Sequence, residues 1–196
     1  MHGRAGVVIT PAALLVTLTH HEPADAGEAT SLARIRALLA GPDDPFARTT
    51  LAGHVTGSAI VARPDGSTFL LVRHRKLGRW LQPGGHVDPA DASVLDTAVR
   101  EVREETGITD ARAALAGRVL DVDVHPIPAR PDEPAHAHFD LRYLLTTAGH
   151  SPLAGAPDEV TAVAWLSFAE AVMAGADESL VRALRKAHAI LARRPG

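Results

Sequence analysis

Residues 83–108 read PGGHVDPADASVLDTAVREVREETGI. The glycine pair Gly84-Gly85 leads into a segment with Leu95, Ala98, Val99 and Val102 at helical spacing, which predicts a helix with one buried face. Asp91 or Ser93 can cap its start, and Gly107 supplies its stop. Near its C-terminal end this helix carries Glu101, Glu104 and Glu105. Residues three and four apart are neighbours on a helix, so the three carboxylates share a face. Like charges at that spacing repel, and the macrodipole disfavours anions at a helix C-terminus. Solvent, pairing with Arg100 and Arg103, or a bound cation can stabilise such a face. A hard divalent ion, which prefers oxygen ligands, suits the third option.

The surrounding chain narrows the choice. It has 196 residues with 46% hydrophobic, enough for one domain with a core, but only 4% aromatic, so Ala, Val and Leu must fill most of the interior. A net charge of −3 is not the basic footprint of a nucleic-acid binder. The absence of cysteine excludes a disulfide framework, a thiol nucleophile and a thiolate zinc site. Ala5 to Leu18 is apolar but too short to span a bilayer, is interrupted by Pro11 and is followed by His20, His21 and Glu22. It reads as a packed N-terminal element of a cytoplasmic protein with no membrane partner.

Periodicity organises the rest. Helices are expected from Pro11 to about His20 and over Glu28–Leu39, where Leu32, Ile35, Leu38 and Leu39 recur at helical spacing before Gly41-Pro42. Residues 1–50 therefore read as a helical extension and residues 51–196 as the main domain. In the latter, His54–Ala62 and Thr68–His74 form a hairpin around the turn Pro64-Asp65-Gly66-Ser67. Lys76–Gln82 is a loop. Strands follow at Ala116–Val124, Ala137–Thr146 and Val160–Leu166, with a proline-rich loop over Pro126–Pro134 and a closing helix over Glu178–Ala192. A mixed sheet with helices packed on it is the expected α/β arrangement.

The central stretch resembles the Nudix box, G-x5-E-x7-R-E-U-x-E-E-x-G-U with U a bulky aliphatic. Gly85 matches the first glycine, and Arg100-Glu101-Val102-Arg103-Glu104-Glu105-Thr106-Gly107-Ile108 matches the second half without exception. Asp91 stands where the box has its first Glu, and one extra residue precedes Arg100. The resemblance extends over roughly Gly53–Ala192 and implies a Nudix-type α/β/α sandwich. It further implies hydrolysis of a diphosphate linkage in a small-molecule nucleoside diphosphate derivative, with Mg²⁺ or Mn²⁺. Glu101, Glu104, Glu105 and the Gly84 carbonyl would then be metal ligands, and Arg100 would orient a box carboxylate. A box glutamate or a later acid would be the general base, with Glu159 favoured and Asp158 as substitute.

Outside the box, His136, His138 and Asp140 alternate on a candidate strand and so point to one side of it, with His125 on the strand before. They can line a substrate pocket, face solvent or ligate a transition metal. Arg73, His74, Arg75, Lys76 and Arg79 precede the glycine pair and can receive phosphates, Arg73 and Arg75 foremost, or can simply form a charged hairpin end. His86 can touch a phosphate or lie in water. Trp80, flanked by Leu77 and Leu81, reads as a core residue rather than a base-stacking one. The helical extension has two roles open to it, covering the pocket or forming a homodimer interface. The competing function is a non-catalytic protein of the same fold that senses a nucleotide. The absence of cysteine argues against prenyl diphosphate isomerisation, since the isomerases concerned use one, and the lack of an extended basic stretch argues against decapping of messenger RNA.

Overall fold

The computed structural model describes residues 9–130, 134–149, 153–156 and 158–193. Helix α3, Val94–Thr106, is the helix expected from the central stretch. Ser93, rather than Asp91, is its N-cap and accepts from the Asp96 amide, while Gly107 ends it at φ 76°, a left-handed conformation that a side chain would strain. The helices expected near the N-terminus are α1, Pro11–Thr17, and α2, Ala26–Leu39; the last is α5, Glu178–Leu191.

Strand β1, His54–Ala62, is the centre of a mixed sheet. It runs parallel to β7, His136–Thr146, over its whole length, from His54 opposite His138 to Ala62 opposite Thr146. Its other edge is shared. Strand β2, Phe69–His74, pairs with it only at Val61–Leu70 and Ala62–Phe69, next to the turn. Strand β4, Gly84–His86, takes the remainder of that edge, with His86 opposite Thr56 and Gly84 opposite Ser58. The expected hairpin is therefore open. Beyond the turn, β2 pairs with β8, Val160–Leu166, and with the short strand β3, Trp80–Leu81. Trp80 and Leu81 thus leave the expected loop, and Trp80 packs against the core cluster around Phe69 and Leu184.

Two further departures have local causes. The strand expected from Ala116 is β6, Val119–Ile127, because Ala116 and Gly117 sit in a turn at φ 50° and 77°. It runs two residues into the expected proline loop. Proline is tolerated there because β6 pairs on one side only, with β7, and is an edge strand. Residues 131–133 of that loop lie outside the described residues. Helix α4, Phe168–Met173, was not expected, although its capping box of Ser167 and Glu170 was readable. The short strand β5, Arg112–Ala113, pairs with β7.

Helices cover both faces of the sheet. Leu32 and Ile35 of α2 and Val94, Ala98 and Val102 of α3 pack with Val55, Ala59, Phe139 and Leu141 on one face. Leu180, Leu184 and Ala187 of α5 pack with Ile60, Phe69, Leu120 and Leu144 on the other. The molecule is an α/β/α sandwich with a mixed central sheet. Helix α2 is joined to the sheet by a buried carboxylate. Glu28 accepts from His21 at 2.8 Å, the Ala24 amide at 2.7 Å, Lys186 at 2.6 Å and the Val122 amide on the β6 edge away from β7 at 3.3 Å. Among the described residues no helix is long and apolar enough to cross a membrane.

Candidate active site

The three glutamates of α3 meet β4 at the glycine pair. The Gly84 amide donates to Glu105 at 3.0 Å. A Cβ on Gly84 would collide with Ser58, backbone included, so that position demands glycine, and one on Gly85 would displace the Glu101 carboxylate. The carboxylates differ in environment. Glu105 is 5% exposed, Glu101 is partly buried and Glu104 is exposed. Burial pushes the Glu105 pKa up to about 8, against the Gly84 hydrogen bond, and the charges of Glu101, Glu159 and Glu104 add to the rise. Glu101 is also raised, by burial first, with Arg100 opposing. A crowded group of acids that resists full ionisation is what an added cation would relieve.

Arg100 holds the cluster to the loop before α3. Its Nη1 donates to Glu101 at 2.7 Å and Glu104 at 3.0 Å. Its Nε and Nη2 donate to Asp91 at 3.2 and 3.0 Å, and Nη2 also to the His86 carbonyl at 2.8 Å. Asp91 in turn accepts from Thr97 at 2.8 Å and from the Asp88 amide at 3.0 Å. Burial alone would raise the Asp91 pKa, but the Arg100, Asp88 and Thr97 hydrogen bonds hold it below the ordinary carboxylate value. The shorter acid and the extra loop residue therefore still reach the arginine. Glu159 is exposed in the turn before β8, and its charge is felt by both Glu101 and Glu105.

A cleft of about 480 Å³ opens beside Gly84, Gly85 and Glu105. Leu77, Leu81 and Ile127 form apolar parts of its wall, and His74, Arg79 and Arg130 bring basic groups. Arg73 and Arg75, the arginines singled out in the sequence, do not line it; Arg75 borders a separate cavity of about 360 Å³. Successive side chains of a strand point to opposite sides, and it is Val72 and His74 that reach the cleft.

Asp140 lies in the cleft floor, 3% exposed, and is engaged by the protein itself. It accepts from Ser58 at 2.6 Å, Thr56 at 3.0 Å, and Gln82 and Arg142 at 3.3 Å. Thr56, Ser58, Gln82 and Arg142 escaped the sequence reading. The signal for the first two was present, as polar residues alternating with apolar ones along HVTGSAIVA.

His136 and His138 have unexpected company. Their rings and those of His54, His86 and His125 form one group, with centroid separations from 4.9 to 5.5 Å. His54 is fully buried. Burial lowers the His86 pKa to about 3, with Arg48 and neighbouring histidines contributing, and lowers that of His138 to about 2, with the other histidines contributing.

Comparison with known proteins agrees with this architecture. The NUDIX domain family matches residues 53–187. A Lactococcus lactis protein named "Probable DHNTP pyrophosphohydrolase" is 39% identical over 93 residues, 46% of this chain and 52% of that one. The chain spans about half the length, or less, of the curated relatives it matches. Among solved structures, a MutT NUDIX hydrolase from Burkholderia pseudomallei superposes with a TM-score of 0.53 at 26% identity, covering 67% of this chain and 95% of that one. A C. elegans Ap4A hydrolase complex reaches a TM-score of 0.57 over 70% of this chain and 97% of its own, a likeness of fold at 20% identity. Two thirds of the sequence, the glycine pair facing a helical glutamate cluster and the sandwich around them thus lead to one conclusion: the chain belongs to the NUDIX domain family.

Proposed function

We propose that this protein hydrolyses a diphosphate linkage in a nucleoside diphosphate derivative, using Mg²⁺ or Mn²⁺. The observation that carries this reading is the carboxylate cluster of α3 against Gly84, with one member buried and its pKa raised to about 8. Oxygen donors in that number suit a hard divalent ion, and the excess negative charge is relieved by one. Glu101, Glu104, Glu105 and the Gly84 carbonyl would hold it. When bound, such an ion polarises phosphoryl oxygens and neutralises charge that develops on them.

The chain's own groups divide the remaining work. Arg100 is a positioning residue, since its Nη1 fixes Glu101 and Glu104 while its other edge is anchored on Asp91. Glu159 is exposed and close enough to influence Glu101 and Glu105, which suits it to take a proton from an attacking water. Arg79 and Arg130 on the cleft wall suit the phosphates, and Leu77, Leu81 and Ile127 suit a base or other apolar moiety.

The test is a hydrolysis screen over dinucleoside polyphosphates, nucleotide sugars, oxidised nucleotides and coenzyme-like diphosphates with Mg²⁺ or Mn²⁺. The expected result is turnover of at least one class that Glu104→Gln and Glu105→Gln reduce about 100-fold or more, because bound metal is worth several kcal/mol in the transition state. Unchanged activity in both variants would overturn the assignment of these glutamates. Tight binding of a nucleotide without any turnover would favour the sensing alternative.

A further inference from the structure

The histidine group is a second concentration of metal-ligating chemistry. The chain has 11 histidines, and five of them meet on one patch of the sheet. Strand register brings them there. His54 of β1 lies opposite His138 of β7, His138 lies opposite His125 of β6, and His86 of β4 lies opposite Thr56, two residues along β1 from His54. Residues two apart on a strand share a face, so β1, β4 and β7 each present an imidazole to the same spot.

One donor nitrogen from each of His54, His86 and His138 lies within 4.8 Å of the others. In a tetrahedral zinc site with Zn–N of about 2.0–2.1 Å, the donors sit about 3.3 Å apart. Rotation of partly exposed side chains such as those of His86 and His138 can make that contraction. The Nε2 of His86 is buried and meets no hydrogen-bond partner, an expensive condition for a polar atom unless a ligand satisfies it. The neighbouring rings are oriented as ligands usually are. His136 Nδ1 lies 2.9 Å from the Pro134 carbonyl, and His125 Nδ1 lies 3.1 Å from Asp123. A carbonyl only accepts, so His136 Nδ1 is the donor in that contact. A backbone carbonyl or carboxylate behind the ring is the common second support of a metal-bound histidine.

A purely hydrogen-bonded group explains less. His54 is wholly buried among other imidazoles, 4.9 to 5.1 Å from the rings of His86, His136 and His138. Substrate recognition explains His138 and His125, which line the cleft, but not His54 or His86, which do not. Asp140 is spoken for by Thr56, Ser58, Gln82 and Arg142, so the ligand set is three histidines from three strands rather than the His-x-His-x-Asp of one. Imidazole nitrogen suits Zn²⁺ and its transition-metal neighbours, whereas Mg²⁺ takes oxygen.

We propose that His54, His86 and His138 bind a transition-metal ion of the Zn²⁺ class at a site separate from the glutamates of α3, with the His136 ring packed beside it. The site does not depend on the hydrolytic reading. The full chain, stripped with a chelator, would be dialysed against Zn²⁺ in excess Mg²⁺ and its zinc content measured. Co²⁺ would serve as a visible probe of nitrogen coordination. One equivalent of Zn²⁺ is expected, retained in Glu104→Gln and Glu105→Gln. In His86→Ala and His138→Ala the affinity should fall at least about 10-fold, the lower end of what outer-shell partners alone contribute. Zinc should also raise the thermal midpoint of the wild type and not of these variants. If His138→Ala does not fold, His86→Asn, altered at a partly exposed ring, carries the same comparison. A wild type without stoichiometric zinc, or zinc that survives the histidine substitutions and is lost with the glutamates, overturns the proposal.

Discussion

The carboxylates of α3 and the histidines of β1, β4 and β7 are both groups of metal-ligating side chains, but they are assembled in opposite ways. Glu101, Glu104 and Glu105 come from one turn of one helix, and any helix over those residues brings them together. His54, His86 and His138 are up to 84 positions apart, and only the parallel pairing of β1 with β7 and the insertion of β4 on the other edge of β1 unite them. The chemistry differs as well. The first group is carboxylate oxygen next to a glycine pair; the second is imidazole nitrogen, largely buried. Helix periodicity builds the first group and sheet register the second, and the two meet β4 at neighbouring residues, Gly84 and His86.

The comparison can be broken most severely at Glu105. Its replacement by Gln should lower diphosphate hydrolysis by about 100-fold or more, at least about 2.7 kcal/mol in the barrier, without loss of zinc capacity. Steady-state kinetics beside zinc analysis would read both, and a parallel loss of the two properties would show that the sites are one.

The pH dependence of stability in metal-free protein should be the next largest effect. The Glu105 pKa is raised from 4.5 to about 8 on folding, so between those values the folded state holds a proton that the unfolded state has released. The sign follows: the contribution is full below the unfolded value and is lost as pH rises toward 8. Over that window the wild type should lose up to a few kcal/mol relative to Glu105→Gln, and saturating Mg²⁺ should recover much of it. Urea titrations at pH 5, 6.5 and 8 with and without Mg²⁺ would measure it. Parallel pH profiles for the two proteins would mean that Glu105 is ionised throughout.

Asp91→Ala should cost about 10-fold in activity by releasing Arg100, as outer-shell partners do, and Asp91→Asn should be milder because it keeps an acceptor for Thr97. The zinc content should not move in either. The smallest effect is expected for His136→Ala, a few-fold weakening of zinc with diphosphate hydrolysis unchanged, seen by competition against a chromophoric chelator.

Much of the fold was open to sequence reasoning because it follows from local rules. The alternation of HVTGSAIVA, the helical spacing in α2, α3 and α5, and the caps at Ser93 and Gly107 are properties of short segments. The open hairpin was not legible, since nothing in Thr68–His74 states that β4 will displace most of β2 from the edge of β1. Nor was the orientation of the basic cluster. Arg73 and Arg75 read as phosphate ligands or as part of a charged hairpin end, and the cleft is lined instead by His74 and Arg79, because orientation around the bulge at Arg73–His74 depends on how β2 meets β8.

The sequence by itself determined the α3 carboxylate face, because helix geometry acts within a few residues. Tertiary structure alone decided that Asp91, despite the extra loop residue, reaches Arg100, that Asp140 is held by Thr56 and Ser58, and that His54 and His86 join His138. Those outcomes depend on which strands become neighbours and in what register, and that choice is made by burying the whole apolar surface at once rather than by any one segment.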